Sequence, residues 1–161
     1  IARRYRYVIL NHPYRPALLS GQVTHVYQTL DIAKMQLAAA KFVGTHDFSS
    51  FRAVACQSNQ PVRTVSHCQL IQQGQLLVLD IQANGFLHHM VRNIVGVLLE
   101  IGSGERELEW IDYLLSIKDR TQGGVTAPPD GLYFIQAYYP EQFELPEVPL
   151  GPVWLNLASI T

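Results

Sequence analysis

The order of hydrophobic and polar residues along the chain predicts four strands and three helices. A period of two, together with β-branched and aromatic residues, indicates the strands. They span residues 3–10, 63–72, 75–83 and 132–139. Gln73-Gly74 is predicted to join the second strand to the third as a hairpin turn, because glycine tolerates the positive φ of such turns.

A period of about 3.6 residues predicts the helices, which span residues 31–43, 86–102 and 107–117. Asp31 is the expected N-cap of the first helix, and Gly44 is its expected stop. The second helix carries a broad apolar stripe that is typical of packing against a core: Leu87, Met90, Val91, Ile94, Val95, Leu98 and Ile101. His89 and Asn93 are predicted to face away from this stripe.

The order strand, helix, strand, strand, helix pair, strand predicts an α+β fold. It is the arrangement of a ferredoxin-like split βαβ domain, with helices on one face of an antiparallel sheet. A length of 161 residues with 48% hydrophobic residues suits one domain with its own core. We therefore predict a single α+β domain over residues 1–161, in which residues 140–161 form an extended tail rich in proline and glutamate.

The net charge is only −1, yet its distribution favours a nucleic-acid partner. The first 70 residues carry eight Lys or Arg against two Asp, whereas the rest carries four basic and eleven acidic residues. Most of the basic residues are arginine, which suits bidentate phosphate contacts. No apolar run approaches the roughly 20 residues that span a bilayer. With no export leader and two cysteines outside any metal-ligand spacing, we expect a soluble cytoplasmic protein with reduced thiols.

The first predicted strand interleaves cations with aromatic rings. Its alternation places Arg3, Tyr5 and Tyr7 on one face, and Arg4 and Arg6 on the other. This mixture contacts phosphates and stacks bases in single-stranded RNA, so the three arginines are candidate RNA-binding residues. The simpler alternative is a strand of half-buried tyrosines flanked by solvated arginines.

A single arginine, Arg92, interrupts the apolar surface of the second helix. The positions one turn away hold His88, His89, Val95 and Gly96, none of which is acidic. A partly buried arginine normally pairs with a carboxylate, because an unpaired buried charge costs on the order of several kcal/mol. Two interpretations stay open: the side chain reaches water along its aliphatic stem, or its partner comes from elsewhere in the fold or from outside the chain.

Other chemistries lack their usual spacing. His88 and His89 are adjacent, whereas a helical metal site requires histidines at i and i+4, so no metal is expected. The sequence contains no G-x-S-x-G elbow and no phosphate-binding glycine loop. A stand-alone enzyme built on either histidine is the least supported alternative.

Five motifs resemble, in order and spacing, the C-terminal half of the bacterial tRNA pseudouridine synthase A family. They are RRYRY (3–7), GTHDFSSF (44–51), GFLHHMVRNIVG (85–96), KDR (118–120) and DGLYF (130–134). The resemblance extends from Ile1 to about Leu155, and HHMVRNIVG is its most specific part. It implies an isomerase that converts uridines 38, 39 and 40 of the tRNA anticodon stem-loop to pseudouridine, with no metal or organic cofactor.

The resemblance also implies roles for three residues. Tyr5 matches a tyrosine that lies against the uracil ring and removes a ring proton, and Leu132 matches the apolar residue under the base. Arg92 matches an arginine paired with the nucleophilic aspartate, and a neighbouring arginine would keep that carboxylate ionised. An apolar shelf and a rigid pocket are also what a flipped base requires.

The family's aspartate stands in a G-R-x-D-x-G loop, and this motif occurs nowhere in the sequence. Asp80 lies within a predicted core strand, and we do not assign it as the nucleophile. We therefore expect a C-terminal part of a longer, homodimeric tRNA-modifying enzyme that is inactive alone. The alternative from another class is a non-catalytic ferredoxin-like RNA-binding or interaction module.

Overall fold

The computed structural model describes residues 1–146 and 149–155. Its strands are β1 Ala2–Asn11, β2 Thr24–Val26, β3 Gly44–Asp47, β4 Val62–Gln73, β5 Leu76–Ala83 and β6 Leu132–Tyr138. Its helices are α1 Ile32–Ala40, α2 Met90–Gly102 and α3 Glu109–Ile117, with 3₁₀ turns at Ser49–Phe51, Arg120–Gln122 and Glu141–Phe143. Every predicted strand and helix is present. The short strands β2 and β3 were not predicted.

The described strands form one sheet in the order β2-β1-β5-β4-β3, and β6 joins it through the first half of β1. All pairings are antiparallel except that of β2 with β1. The four strands predicted from the sequence lie in the order β6-β1-β5-β4, which is that of a ferredoxin-like split βαβ fold. The prediction of an α+β fold with a mainly antiparallel sheet is confirmed.

Strand β1 is central because both of its edges are paired. Strand β5 pairs along one edge, and β6 and then β2 pair along the other. Tyr7 is the last residue that pairs with β6, opposite Leu132, and Ile9 is the first that pairs with β2. Between them, the amide of Val8 donates to the carbonyl of Gly131 at 2.8 Å. The start of β6 is therefore fixed beside the middle of β1, and this brings the DGLYF motif next to RRYRY.

The main core lies between one face of the sheet and helices α1 and α2. Tyr7 and Ile9 of β1 belong to it, and all members of the predicted apolar stripe on α2 are buried. Burying one such side chain stabilises a fold by about 1.5–3 kcal/mol. The opposite face of the sheet carries a smaller apolar cluster of Val8, Leu10, Val23, Val78 and Leu155. The predicted alternation of β1 is thus confirmed on both faces.

Several predicted boundaries shift. Asp31 caps α1 as expected, since its Oδ1 accepts from the amide of Lys34 at 3.0 Å, but the helix ends at Ala40 rather than 43. Helix α2 begins at Met90 rather than 86, because His89 has a φ of 61° and a residue in this left-handed conformation cannot lie inside a right-handed helix.

The predicted tail is partly described. Glu141–Phe143 forms a 3₁₀ turn within it, and the side chain of Leu155 is buried on the sheet. The remainder of that prediction, residues 147–148 and 156–161, lies outside the described residues. Over the described ranges, no helix has the length and apolar character needed to cross a membrane.

Candidate active site

A cleft of about 320 Å³ opens where the first half of β1, the segment before α2 and the start of β6 meet. It is lined by Arg3, Tyr5, Phe86, Leu87, His88, His89, Met90, Val91, Arg92, Pro129 and Leu132. The structure therefore brings together the three residues that the family resemblance singled out, Tyr5, Arg92 and Leu132, from three distant parts of the chain.

The ring of Tyr5 is half-buried and is held by two other aromatic rings. Phe86 meets it edge to face with ring centroids 5.0 Å apart, and Phe134 does so at 5.3 Å. Edge-to-face packing orients an aromatic ring as well as burying it. Leu132, at the first position of β6, supplies a partly buried apolar side chain to the same cleft. The cleft thus has an aromatic wall and an aliphatic wall.

Arg92 uses one edge of its guanidinium within the chain. Its Nε donates to the carbonyl of Ala127 at 2.7 Å, and the amide of Ala127 donates back to the carbonyl of Arg92 at 3.1 Å. No acidic side chain among the described residues forms an ion pair with Arg92. A backbone carbonyl is therefore its partner in the fold, and its two terminal nitrogens have no hydrogen bond to any described residue.

The segment 125–129 that carries this carbonyl is held by two side chains, Arg92 at Ala127 and Tyr7 at Pro128. The hydroxyl of Tyr7 donates to the carbonyl of Pro128 at 2.6 Å and lies 2.6 Å from the Thr24 hydroxyl. Burial raises the pKa of Tyr7 to about 12, against the smaller lowering effects of its Thr24 hydrogen bond and the Arg92 charge. Tyr7 is therefore a neutral support for the cleft.

Gly96 allows this segment to approach α2. A Cβ at Gly96 would overlap the carbonyl oxygen of Val125, so only glycine fits at this point of the helix. The close approach places Ala127 within hydrogen-bonding distance of Arg92. The glycine that ends the GFLHHMVRNIVG motif thus contributes to the orientation of its arginine.

The prediction that Asn93 faces away from the core is wrong, because its side chain is buried. Its Nδ2 donates to the carbonyl of Phe51 at 2.7 Å, and its Oδ1 accepts from the Thr126 hydroxyl at 2.6 Å and from Arg120 at 3.2 Å. It therefore ties α2 to the GTHDFSSF and KDR motifs. Helical periodicity missed this residue because α2 is enclosed on nearly every side, and a polar residue there needs partners rather than solvent.

Arg4 and Arg6 lie on the opposite face of β1 from the cleft, where both bind Asp80. Arg4 donates to Asp80 through Nε at 2.6 Å and Nη2 at 2.9 Å, and Arg6 donates through Nε at 2.8 Å. Burial alone would raise the pKa of Asp80, but the hydrogen bonds from the two arginines outweigh it and hold that pKa below its usual range. These arginines are thus engaged within the chain, and Arg3 is the member of the trio that lines the cleft.

The uneven charge distribution is partly neutralised by ion pairs at the surface. Lys34 pairs with Glu107 and Lys41 with Asp112, each at 2.7 Å, so cations of the first half of the chain meet anions of the second. Charge counts along the sequence therefore overstate the basic surface. Within residues 1–146 and 149–155, no cluster of histidine, cysteine and acidic residues has the grouping of a metal site.

The fold and the cleft together define a ferredoxin-like α+β domain with a pocket beside its central strand. The family model described as tRNA pseudouridine synthase matches residues 38–140, and the chain belongs to this family. The resemblance seen in the sequence motifs is thus confirmed.

Particular relatives share most of this chain. Proteins named tRNA pseudouridine synthase A from Acinetobacter baumannii (strain AYE) and Acinetobacter baylyi are each 69% identical to it over 156 residues. One from Pseudomonas aeruginosa is 56% identical over the same length. The match covers 97% of this chain but 59%, 58% and 55% of these relatives, respectively. The chain therefore spans less than two thirds of the curated relatives it matches, in their C-terminal part.

Proposed function

We propose that this chain forms part of the active site of a tRNA pseudouridine synthase that isomerises uridines 38, 39 and 40 of the anticodon stem-loop. The observation that carries this proposal is the meeting of Tyr5, Arg92 and Leu132 in one cleft. Membership of the family supports the reaction class. The relatives' names support tRNA as the substrate.

The geometry suits the role proposed for each side chain. The ring of Tyr5, fixed by Phe86 and Phe134, offers a flat surface for a flipped uracil and a phenol that takes the ring proton. Leu132 supplies the apolar shelf on the other side of the base. In the reaction, the bond from the sugar to the uracil nitrogen breaks, the ring turns, and a bond to ring carbon forms as that carbon loses its proton. We propose that no metal or cofactor is needed.

Arg92 is proposed to hold the catalytic aspartate ionised. Its terminal nitrogens, which have no hydrogen bond to any described residue, can form a bidentate pair with a carboxylate, while its Nε stays on Ala127. The aspartate would come from a G-R-x-D-x-G loop, which this sequence does not contain. Asp80 is an unsuitable substitute because it is buried and already paired with two arginines. We therefore propose that the chain is inactive alone.

The family also supports proposals about the whole enzyme. We propose that it acts on tRNA in the cytoplasm as a homodimer, without a membrane or metal partner. Size-exclusion chromatography with light scattering on the chimera described next tests the dimer, and a monomer at micromolar concentration would contradict it.

A chimera tests the activity. In the chimera, this chain replaces the 156-residue segment of the Acinetobacter baumannii relative that matches it. Tritium release from tRNA labelled at uridine C5 measures turnover. We expect release by the chimera and none by the chain alone. Arg92→Ala in the chimera should lower kcat by about 100-fold or more, as does loss of a group that stabilises charge in a transition state.

Arg106→Ala is the control, because Arg106 is an exposed arginine over Trp110, away from the cleft. It should leave kcat unchanged. Ordinary turnover by the isolated chain would contradict its proposed inactivity, and full activity of the Arg92 variant would contradict the pairing role.

A non-catalytic RNA-binding module is the second candidate function. It is favoured by one observation, that Arg3 lies beside Tyr5 in a chain without the aspartate motif. Tight binding of the stem-loop by a chimera that releases no tritium would support it over the enzyme.

A further inference from the structure

Two histidines at the cleft form a stacked pair that the proposed chemistry does not use. The rings of His88 and His89 lie 3.9 Å apart between centroids with an interplanar angle of 29°. Both line the cleft, His88 exposed and His89 half-buried. Neither imidazole has a hydrogen-bond partner in the part of the chain that the structure describes. The sequence predicted that they point in different directions on a helix, which is wrong because both precede α2.

The backbone forces this arrangement at some cost. His89 has φ 61° and ψ 8°, a left-handed conformation that residues other than glycine seldom adopt. The peptide is held there by three hydrogen bonds: Ala53 to the carbonyl of His88, Met90 to that of Leu87, and Asn93 to that of His89, at 2.9, 3.0 and 2.9 Å. Strained positions that the surroundings fix in this way cluster at functional sites.

The electrostatic surroundings disfavour the charged form of the inner ring, His89. Burial lowers the pKa of His89, and its electrostatic interaction with the neighbouring His88 lowers it further. Arg92 and Arg120 act in the same direction. The two stacked imidazoles give a flat, polarisable surface beside the cations Arg3 and Arg92. This is the combination on which bases of unpaired RNA stack.

We infer that the His88–His89 stack is a platform for the RNA base next to the target uridine, with His88 as the contacting ring and His89 as the positioning residue behind it. This inference rests on the proposed function. When a uridine is flipped into the cleft, its neighbour loses a stacking partner. A ring at the mouth of the cleft can replace that partner and hold the neighbouring nucleotide in place.

The first test is the binding of a synthetic anticodon stem-loop RNA to this chain, followed by NMR of the histidine ring protons. We expect the ring protons of His88 to move upfield on saturation, because a stacked base shields them, and those of His46 to stay unchanged. His46 lies on the edge strand β3, outside the cleft. Absence of RNA binding, or binding without an upfield shift at His88, would overturn the inference.

Four variants separate stacking from a structural role. His88→Ala should raise the Kd for the stem-loop RNA by about 5- to 150-fold, which corresponds to the loss of one base–aromatic stack. His88→Phe keeps a flat ring and should restore most of the affinity. His89→Gly accepts the left-handed backbone, so the fold should survive, and it should weaken binding less than His88→Ala does. His46→Ala is the control and should bind as the wild type does.

Kinetics in the chimera distinguish this inference from the proposed function. His88→Ala should raise KM with little change in kcat, unlike Arg92→Ala. Equal loss of affinity in His88→Phe and His88→Ala would refute stacking while leaving the synthase proposal intact. A wild-type chimera without activity would refute the synthase proposal, whereas the NMR titration of the chain would still decide whether a base stacks on His88.

Discussion

Replacing Asp80 with asparagine removes one charge from a buried group of three. The carboxylate of Asp80 is 1% exposed, and its partners Arg6 and Arg4 are 7% and 18% exposed. Asparagine has nearly the same shape, so the variant changes charge and hydrogen bonding with little change in packing. The experiment therefore measures what the carboxylate contributes to the stability of the sheet between β1 and β5.

The expected loss is about 3–5 kcal/mol of the free energy of unfolding. Removing one partner of a buried ion pair leaves the other charge without compensation in a medium of low polarity. Arg6 bears most of this cost, because its remaining acceptors are the backbone carbonyls of Gly151 at 2.8 Å and Leu150 at 3.5 Å. Arg4 reaches solvent more easily and should contribute less.

The pH dependence gives the prediction a second, independent form. The pKa of Asp80 is lower in the folded chain than its ordinary value of 3.8. The carboxylate therefore stabilises the fold fully above the unfolded pKa, and this contribution is lost as the pH falls through the folded pKa. In a His67→Gln background, which removes the imidazole 3.7 Å from Asp80 Oδ1, the loss of stability caused by Asp80→Asn should stay constant from pH 7 to about pH 5. This gap in stability should narrow only below pH 3.8.

Urea unfolding followed by circular dichroism at several pH values measures both effects. Asp112→Asn is the control, since Asp112 pairs with Lys41 at a similar distance but is 60% exposed, and it should cost less than about 1 kcal/mol. A cost for Asp80→Asn no larger than that of the control, or a gap that does not narrow in acid, would refute the reasoning.

Two further substitutions test the supports of the cleft. Gly96→Ala should destabilise the chain by about 1–3 kcal/mol, because its Cβ would displace the carbonyl of Val125; a Tm above that of the wild type, as helix propensity alone predicts, would contradict this. Tyr7→Phe should cost about 1–3 kcal/mol at pH 7 by leaving Pro128 and Thr24 without their partner. The pKa of Tyr7 is about 12 in the folded chain, against an ordinary value of 10.0. The stability that its protonated hydroxyl contributes is therefore lost as the pH rises from about 10 to about 12. Over this range the wild type should lose stability faster than Tyr7→Phe does. Parallel alkaline unfolding curves would contradict that pKa.

Most of the fold could be predicted because its signals are local. Period-two alternation identified β1 and the β4–β5 hairpin, and the apolar stripe identified α2. The strands β2 and β3 have only three and four residues, too few for a periodic signal, and pairing with a neighbouring strand defines them. The start of α2 was placed too early because the helical pattern of residues 86–89 gives no indication of the left-handed backbone at His89.

The sequence by itself determined the class of fold, the family resemblance and the identity of Tyr5, Arg92 and Leu132 as candidate site residues, because periodicity and motifs depend on neighbouring residues. Only the tertiary structure decided which arginines pair with a carboxylate among the described residues. Arg4 lies 76 residues from Asp80 along the chain and binds it because of the register between β1 and β5. Likewise, Arg92 found a carbonyl rather than a carboxylate because Gly96 lets segment 125–129 approach the helix. Pairing register and close approach are properties of the packed chain, and no local pattern encodes them.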